Sequence, residues 1–340
     1  MDPHQILARV GDMQQLAGIE LVEASDGPGR GVREARVWTG GGLDFVVHID
    51  RGFDLGPATF HGTNLTWYSP MGLVHPHAFQ DSAHGWARRF PGGLLSTCGL
   101  DNVGPASGGR PAHGRWSNTP ARLVAAEALW RDGRYVLELV GQVRGAELFG
   151  DDLVLTRTIR SEYGATSLTI HDQIENRGHR EGPFLLLYHC NLGYPLLDEG
   201  DILVVKSRVT PRDDEAARGI TTRRTIGAPR AGYREQVFHH DVETDETGLA
   251  TVGLVNPRRH LAAYLRYEKA NLPHLTEWRQ LGEGEYVLGL EPGNCFVLGF
   301  EEEDRLGRVR RLQPGETVQT ELEIGFLATA AAIREMLGEA

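Results

Sequence analysis

Residues 153–176, LVLTRTIRSEYGATSLTIHDQIEN, alternate in character along two runs. Leu153, Leu155, Arg157 and Ile159 share one face, and Val154, Thr156 and Thr158 the other. After a turn at Gly164, Leu168, Ile170, Asp172 and Ile174 alternate with Thr169, His171 and Gln173. A period of two with mixed faces predicts an antiparallel hairpin with one buried side. Towards the end of the chain the pattern returns. NCFVLGFEEE predicts a strand, LGR a turn, and RLQPGETVQTELEIGFL a second strand entered through Gln313-Pro314-Gly315-Glu316.

Only the ends change period. Residues 4–18 place Ile6, Leu7, Val10 and Met13 on one helical face, with Gly18 as a stop, and ATAAAIREMLGEA predicts a terminal helix. These helices, within 1–20 and 328–340, are appendages. Between them no helix–strand alternation of the parallel α/β kind is visible, and no short repeat. The 43 glycines are spread along the chain, as many strand ends and tight turns require. The expectation is one mainly-β domain over residues 1–340. Residues 80–120, rich in Gly, Pro, Arg and Asn, form the longest stretch without a period, and such segments are more often functional than idle.

Composition narrows the partners. Apolar residues make up 40% and charged residues 24%, and no stretch approaches the length of a membrane span. The opening MDPHQILARV lacks the basic-then-apolar order of a secretory signal. Three cysteines, Cys98, Cys190 and Cys295, have no CxxC pairing, which fits a reducing compartment. A cytoplasmic protein is expected. The net charge of −11, without a basic run, argues against nucleic acid and anionic membranes as partners. A local anion site of two or three arginines remains compatible with that charge, and a homo-oligomer is left open.

Four stretches set polar residues against a glycine or proline break: HIDRGFDLG (48–56), PGGLLSTCGLDNVG with AHGRWSN (91–118), LYHCNLGYP (187–195) and LGLEPGN (288–294). Glu291 follows an apolar strand, and Pro292-Gly293 is expected to stop pairing at once. It reads either as an exposed turn residue or as a carboxylate directed into a pocket, where it is a candidate general base. His189 reads as a satisfied core histidine or as the polar tip of LLLYHCNLGYPLL. His113 reads as a loop histidine or a site residue, and Arg51 with Asp54 as a structural ion pair or a binding pair. HPHAFQDSAH (His75, His77, His84) and FHHD (His239, His240, Asp241) raise a metal site. Pro76 and the loop-like surroundings favour surface histidines instead. No GxSxG elbow, phosphate loop or dinucleotide fingerprint occurs.

Taken in order, GGLLSTCGLDNVG, HGRWSN, YHCNLGYPLL and LEPGN resemble the aldose 1-epimerase (galactose mutarotase-like) superfamily, over most of the chain. The resemblance implies an antiparallel β-supersandwich with a sugar cleft at the strand ends. It also implies cofactor-independent acid–base chemistry. A glutamate takes the proton of the anomeric hydroxyl while a histidine protonates the ring oxygen, and reclosure on the other face inverts the anomer. By this resemblance Glu291 is the base, His189 the acid and His113 the second histidine. No metal or nucleotide is implied, and the partner is a small-molecule sugar. Asn191 shares a face with His189 and is a candidate for a sugar hydroxyl. Trp67, Trp116 and Trp278 are candidate platforms. RRFPGGLL and HGRWSN are similar to the branch acting on hexose phosphates, with Arg89 and Arg115 as phosphate ligands. Asp101, Asn102 and Asp54, with Arg51, are further candidate sugar contacts. Alternatives from other classes are a non-catalytic carbohydrate-binding module and a metal-dependent isomerase.

Overall fold

The computed structural model describes residues 3–338 apart from 81 and 83, so the outermost residues of both terminal segments lie outside it. Among the described residues the strands form two antiparallel sheets, of twelve and eight strands. The hairpin expected at 153–176 is present as Asp152–Glu162 and Ser167–Asn176, with Ile159 opposite Ile170 and Leu155 opposite Ile174. These four side chains share one core with Phe45, Val47, Leu186 and Leu290 of the larger sheet. The architecture is thus the mainly-β sandwich implied by the motifs. No described helix is long and apolar enough to cross a membrane.

The strand Gly182–Gly193 lies inside the larger sheet, between Leu95–Leu100 and Glu285–Gly293. All twelve of its residues are buried. Leu186, Tyr188, Cys190 and Leu192 enter the sandwich core. Leu185 and Leu187 point the other way and pack with Cys98, Val103 and Cys295. With both faces covered, a strand reads as an unbroken apolar run.

A buried polar network joins the sheets. Arg157, fully buried on the smaller sheet, donates through Nε and Nη2 to Asp172 at 2.8 and 2.7 Å. Its Nη1 donates to Asp54 of the larger sheet at 2.9 Å. The Tyr188 hydroxyl donates to Asp172 at 2.7 Å and lies 2.6 Å from Thr320 Oγ1. Asp54 also accepts from the Thr97 amide and hydroxyl at 2.9 and 2.5 Å. Burial alone disfavours the Arg157 charge, but Asp172 and Asp54 more than offset it and raise its pKa.

Five sequence expectations are corrected. The N-terminal helix is a single turn, Pro3–Leu7. Asp12 then caps a short turn at Met13–Gln15, accepting from Gln14 N at 2.8 Å, and Gln15 Oε1 reaches back to Gly11 N at 2.8 Å. Gly18 opens a strand, Gly18–Glu23, rather than ending a helix. NCFVLGFEEE is not a strand. Asn294 Oδ1 takes the Leu186 amide at 2.7 Å in place of a ladder bond, and the chain turns over the outer face into the helix Phe300–Arg305. Leu95–Leu100 is a buried strand inside the aperiodic stretch 80–120. FHHD belongs to the strand Gln236–Val242, not to a loop, and His240 is buried against Glu277 Oε2 at 2.8 Å rather than on the surface. The C-terminal helix is present as Ala330–Leu337.

Tyr188→Phe removes the hydroxyl from the network and leaves Thr320 Oγ1 without its partner. Urea denaturation is expected to show a loss of about 1–3 kcal/mol at unchanged m-value. A loss below about 0.5 kcal/mol would mean that the hydroxyl is not needed there.

Candidate active site

Register brings the principal candidates together. Leu187 lies opposite Gly293 and Cys190 opposite Leu290, so Glu291 stands across from His189 and Pro292 from Tyr188. The strand does not stop at Pro292. It pairs on its other side through Thr276–Glu291 and Leu275–Pro292 as far as Gly293. Proline lacks a ladder donor, and that deficit falls on the His189 side. The site therefore lies within the sheet, on its outer face, and not at the strand ends. Strand Gly182–Gly193 likewise continues in register through Asn191–Gly289 and Gly193–Val287.

His189 Nε2 is 3.2 Å from Glu291 Oε1, with side chains only 5% and 2% exposed. They lie in a cleft of about 490 Å³, with His113, Trp86, Thr276, Trp278, Arg212 and Glu235 also on its walls. His113 arrives from the segment after Leu100. Its backbone is left-handed (φ 54°), its amide donates to Gly104 O at 2.8 Å, and its carbonyl accepts from Gly99 N at 3.0 Å. Gly114 follows because a Cβ there would lie 2.1 Å from Gly99 O. The His113 ring stacks on Trp86 at 4.3 Å, and the rings of His189 and Trp278 meet edge-on at 5.4 Å. Across the mouth, Arg212 Nη2 donates to Glu235 Oε1 at 2.8 Å, and Trp278 Nε1 donates to Glu235 Oε2 at 2.9 Å.

Four buried polar atoms on the walls of this cleft have no protein partner: Thr276 Oγ1, Trp86 Nε1, and Nδ1 of both His113 and His189. Each is free to hydrogen-bond a molecule that enters the cleft.

The family described as domain of unknown function (DUF4432) matches residues 29–326. The chain belongs to the DUF4432 family. No curated protein matches the sequence. A solved structure from Klebsiella pneumoniae, named a "putative aldose 1-epimerase", is 25% identical with a TM-score of 0.89, covering 100% of this chain and 90% of its own. A galactose mutarotase-like protein from Clostridium acetobutylicum is 10% identical with a TM-score of 0.67, covering 93% and 100%. The fold of this DUF4432 chain is thus that of the aldose 1-epimerase and galactose mutarotase-like proteins.

Burial governs the electrostatics of the DUF4432 cleft. It raises the Glu291 carboxyl well above its ordinary value, with the Glu235 charge adding to the effect and Arg212 opposing it. It lowers His189 to about 4, against the raising effect of Asn191 beside it. His113 falls to about 3, again mainly by burial and then by His189. At neutral pH burial therefore favours a protonated Glu291 and a neutral His189.

Most other candidate ligands lie elsewhere. Arg51 is buried and donates to Val74 O at 2.7 Å and Arg89 O at 2.8 Å, fixing backbone that follows it in the chain. Asp54 belongs to the inter-sheet network and pairs with Arg157, not Arg51. Asn102 donates to Pro105 O and Pro111 O at 2.9 and 2.7 Å and accepts from Phe300 N. Asn191 Nδ2 bonds Gly93 O and His189 O at 3.1 and 2.9 Å, shaping the backbone of the site rather than lining it. Arg89 Nε donates to Ala78 O at 2.8 Å. Asp101 and Arg115 line a separate cavity with Trp116, 3.8 Å from each other. Of the three platform tryptophans, Trp278 alone lines the site cleft. Among the described residues no three His, Cys, Asp or Glu side chains converge as a metal set.

Sequence reading passed over Trp86, Arg212, Glu235 and Thr276. Thr276 carries a signal, since period two puts it with Trp278 on one face of His274–Gly282. Nothing in the order of residues tells which strand lies alongside.

The two histidines bind protons more weakly folded than unfolded, where their ordinary value is 6.5. Their stabilisation is complete above about pH 6.5 and is lost as pH falls towards the folded values. Glu291, raised on folding, acts in the opposite sense: its contribution is complete below its ordinary value of 4.5 and is lost as pH rises. Urea denaturation at pH 7 and pH 5 checks this. Relative to wild type, His189→Asn is expected to be more favourable at pH 5 than at pH 7 by about 1–2 kcal/mol. Glu291→Gln is expected to shift in the other direction. Parallel pH profiles for all three proteins would contradict the assignment.

Proposed function

We propose that this protein is a cofactor-independent aldose 1-epimerase, interconverting sugar anomers through the open chain with Glu291 and His189 as the acid–base pair. The supporting observation is the one-proton pair, 3.2 Å apart and buried, in a cleft ringed by unsatisfied polar groups. A cleft of about 490 Å³ has room for a hexose.

The proton balance follows from the two tautomers of the pair. With the proton moved across to His189, the Glu291 carboxylate takes the proton of O1 while His189 gives its proton to the ring oxygen, and the C1–ring oxygen bond breaks. The open-chain aldehyde then faces a protonated Glu291 and a neutral His189, which is the arrangement favoured in the unliganded cleft. Rotation about C1–C2 and reversal of both transfers yields the other anomer. Each half-reaction regenerates the pair for the other, so no net proton is exchanged with water. His113, held by the stack on Trp86, stands on the ring-oxygen side as a neutral hydrogen-bonding group. Trp278, its indole fixed by Glu235, offers a flat apolar face to the ring.

The substrate in this reading is an uncharged aldose. Arg212 is the guanidinium on the cleft wall, and it is already paired with Glu235 at 2.8 Å and Asp213 at 3.1 Å. A phosphate there would also face Glu235. Three buried free cysteines suit a cytoplasmic setting.

Polarimetry or exchange NMR of freshly dissolved pure anomers checks the activity. Glu291→Gln is expected to abolish enzyme-catalysed exchange, and His189→Asn to lower kcat about 10²–10⁴-fold, while sugar binding survives in both. A wild-type rate equal to the buffer rate across neutral, acidic and phosphorylated aldoses would refute the activity. Ligand-induced thermal stabilisation without turnover would instead make the protein a carbohydrate-binding module.

A further inference from the structure

The acid–base pair belongs to a longer row. Thr276 is the strand partner of Glu291 on the side away from His189, so His189, Glu291 and Thr276 stand in order on three neighbouring strands of one face. Strand spacing sets them about 4.8 Å apart. Thr276 is only 1% exposed, lines the cleft, and its Oγ1 has no partner. Glu291 Oε1 is turned to His189 Nε2 at 3.2 Å and does not satisfy it. No hydrogen bond joins Thr276 to Glu291 across the strand pair, so the Thr276 hydroxyl on the cleft wall is left for a ligand oxygen. The next residue in the row does not bond that hydroxyl. His239 is the strand partner of Thr276, and its ring packs on Phe296 at 4.1 Å.

The order of the row matches the order of atoms around an anomeric carbon. C1 carries O1 and is flanked by the ring oxygen on one side and C2 on the other. With O1 at Glu291 and the ring oxygen at His189, the far side of Glu291 faces the C2 substituent. We infer that Thr276 is a specificity-determining residue whose hydroxyl binds the 2-hydroxyl of the sugar. The inference rests on the epimerase reading above for the placement of O1 and the ring oxygen. A threonine hydroxyl both donates and accepts, so it serves either configuration at C2 that brings the oxygen within reach.

Binding can be read apart from turnover in the Glu291→Gln background, by calorimetry with D-galactose, D-glucose and their 2-deoxy and 6-deoxy counterparts. Adding Thr276→Val, which keeps shape and removes the hydroxyl, is expected to weaken the 2-hydroxy sugar about tenfold and leave the 2-deoxy sugar unchanged. Thr276→Ser is expected to restore the difference. Equal losses on both sugars, no loss on either, or no binding of any of them overturns the inference. A loss confined to the comparison with the 6-deoxy sugar also overturns it, because it places the ring oxygen at Glu291. Failure of the epimerase reading shows separately, as absent anomer exchange in the wild type while the Thr276-dependent selectivity persists.

Discussion

The Arg157 guanidinium is the tie on which the geometry of the sandwich rests. It is fully buried between the sheets, and it is held by Asp172 from its own sheet and Asp54 from the other. Removing one member of such a set leaves a buried charge uncompensated, at a cost of about 3–5 kcal/mol, so the sheets cannot slide past one another without breaking it. Tyr188 joins the network through its hydroxyl, and Thr97, its strand partner, joins through Asp54. The residue after Tyr188 is His189, and Ser96, next to Thr97, is the strand partner of His189. The polar core thus fixes, through one strand, a side chain on the opposite face.

That transmission depends on the pleat. Within Gly182–Gly193 successive side chains alternate between the sandwich core and the outer face, so a slip of one residue would turn His189 among the core leucines and take Tyr188 away from Asp172. The outer face is dry as well, because the chain after Gly293 folds back over it and packs Cys295 against Leu185 and Leu187. His189 and Glu291 therefore meet in a low-dielectric cleft rather than at a wet sheet edge, and each is driven towards its neutral form. A neutral pair sharing one proton suits a reaction whose charge separation is transient. The same burial leaves hydrogen-bonding groups around the pair without a protein partner.

Much of the fold was legible in the chain, because period-two alternation is a local property. The hairpin 152–176 and the C-terminal strand follow from it directly. Reading failed where a tertiary contact overrode the local pattern. Asn294 replaced a ladder bond and turned NCFVLGFEEE out of the sheet. Asp12 and Gln15 closed a cap inside what otherwise reads as one helix. Leu95–Leu100 is too short and too flanked by glycine to show a period of its own.

For the candidate site, the residue types were legible: His113 precedes Gly114, Glu291 precedes Pro292, and His189 interrupts an apolar run. The chain order did not settle who stands beside whom. Arg51, Asp54, Asn102 and Asn191 carry equally suggestive side chains, yet packing turned them to backbone carbonyls and buried ion pairs. Thr276, Trp86, Glu235 and Arg212 come from distant segments and acquire meaning only through strand register and loop closure. Side-chain type is local, whereas cross-strand partnership and desolvation arise only when the two sheets close on a common core.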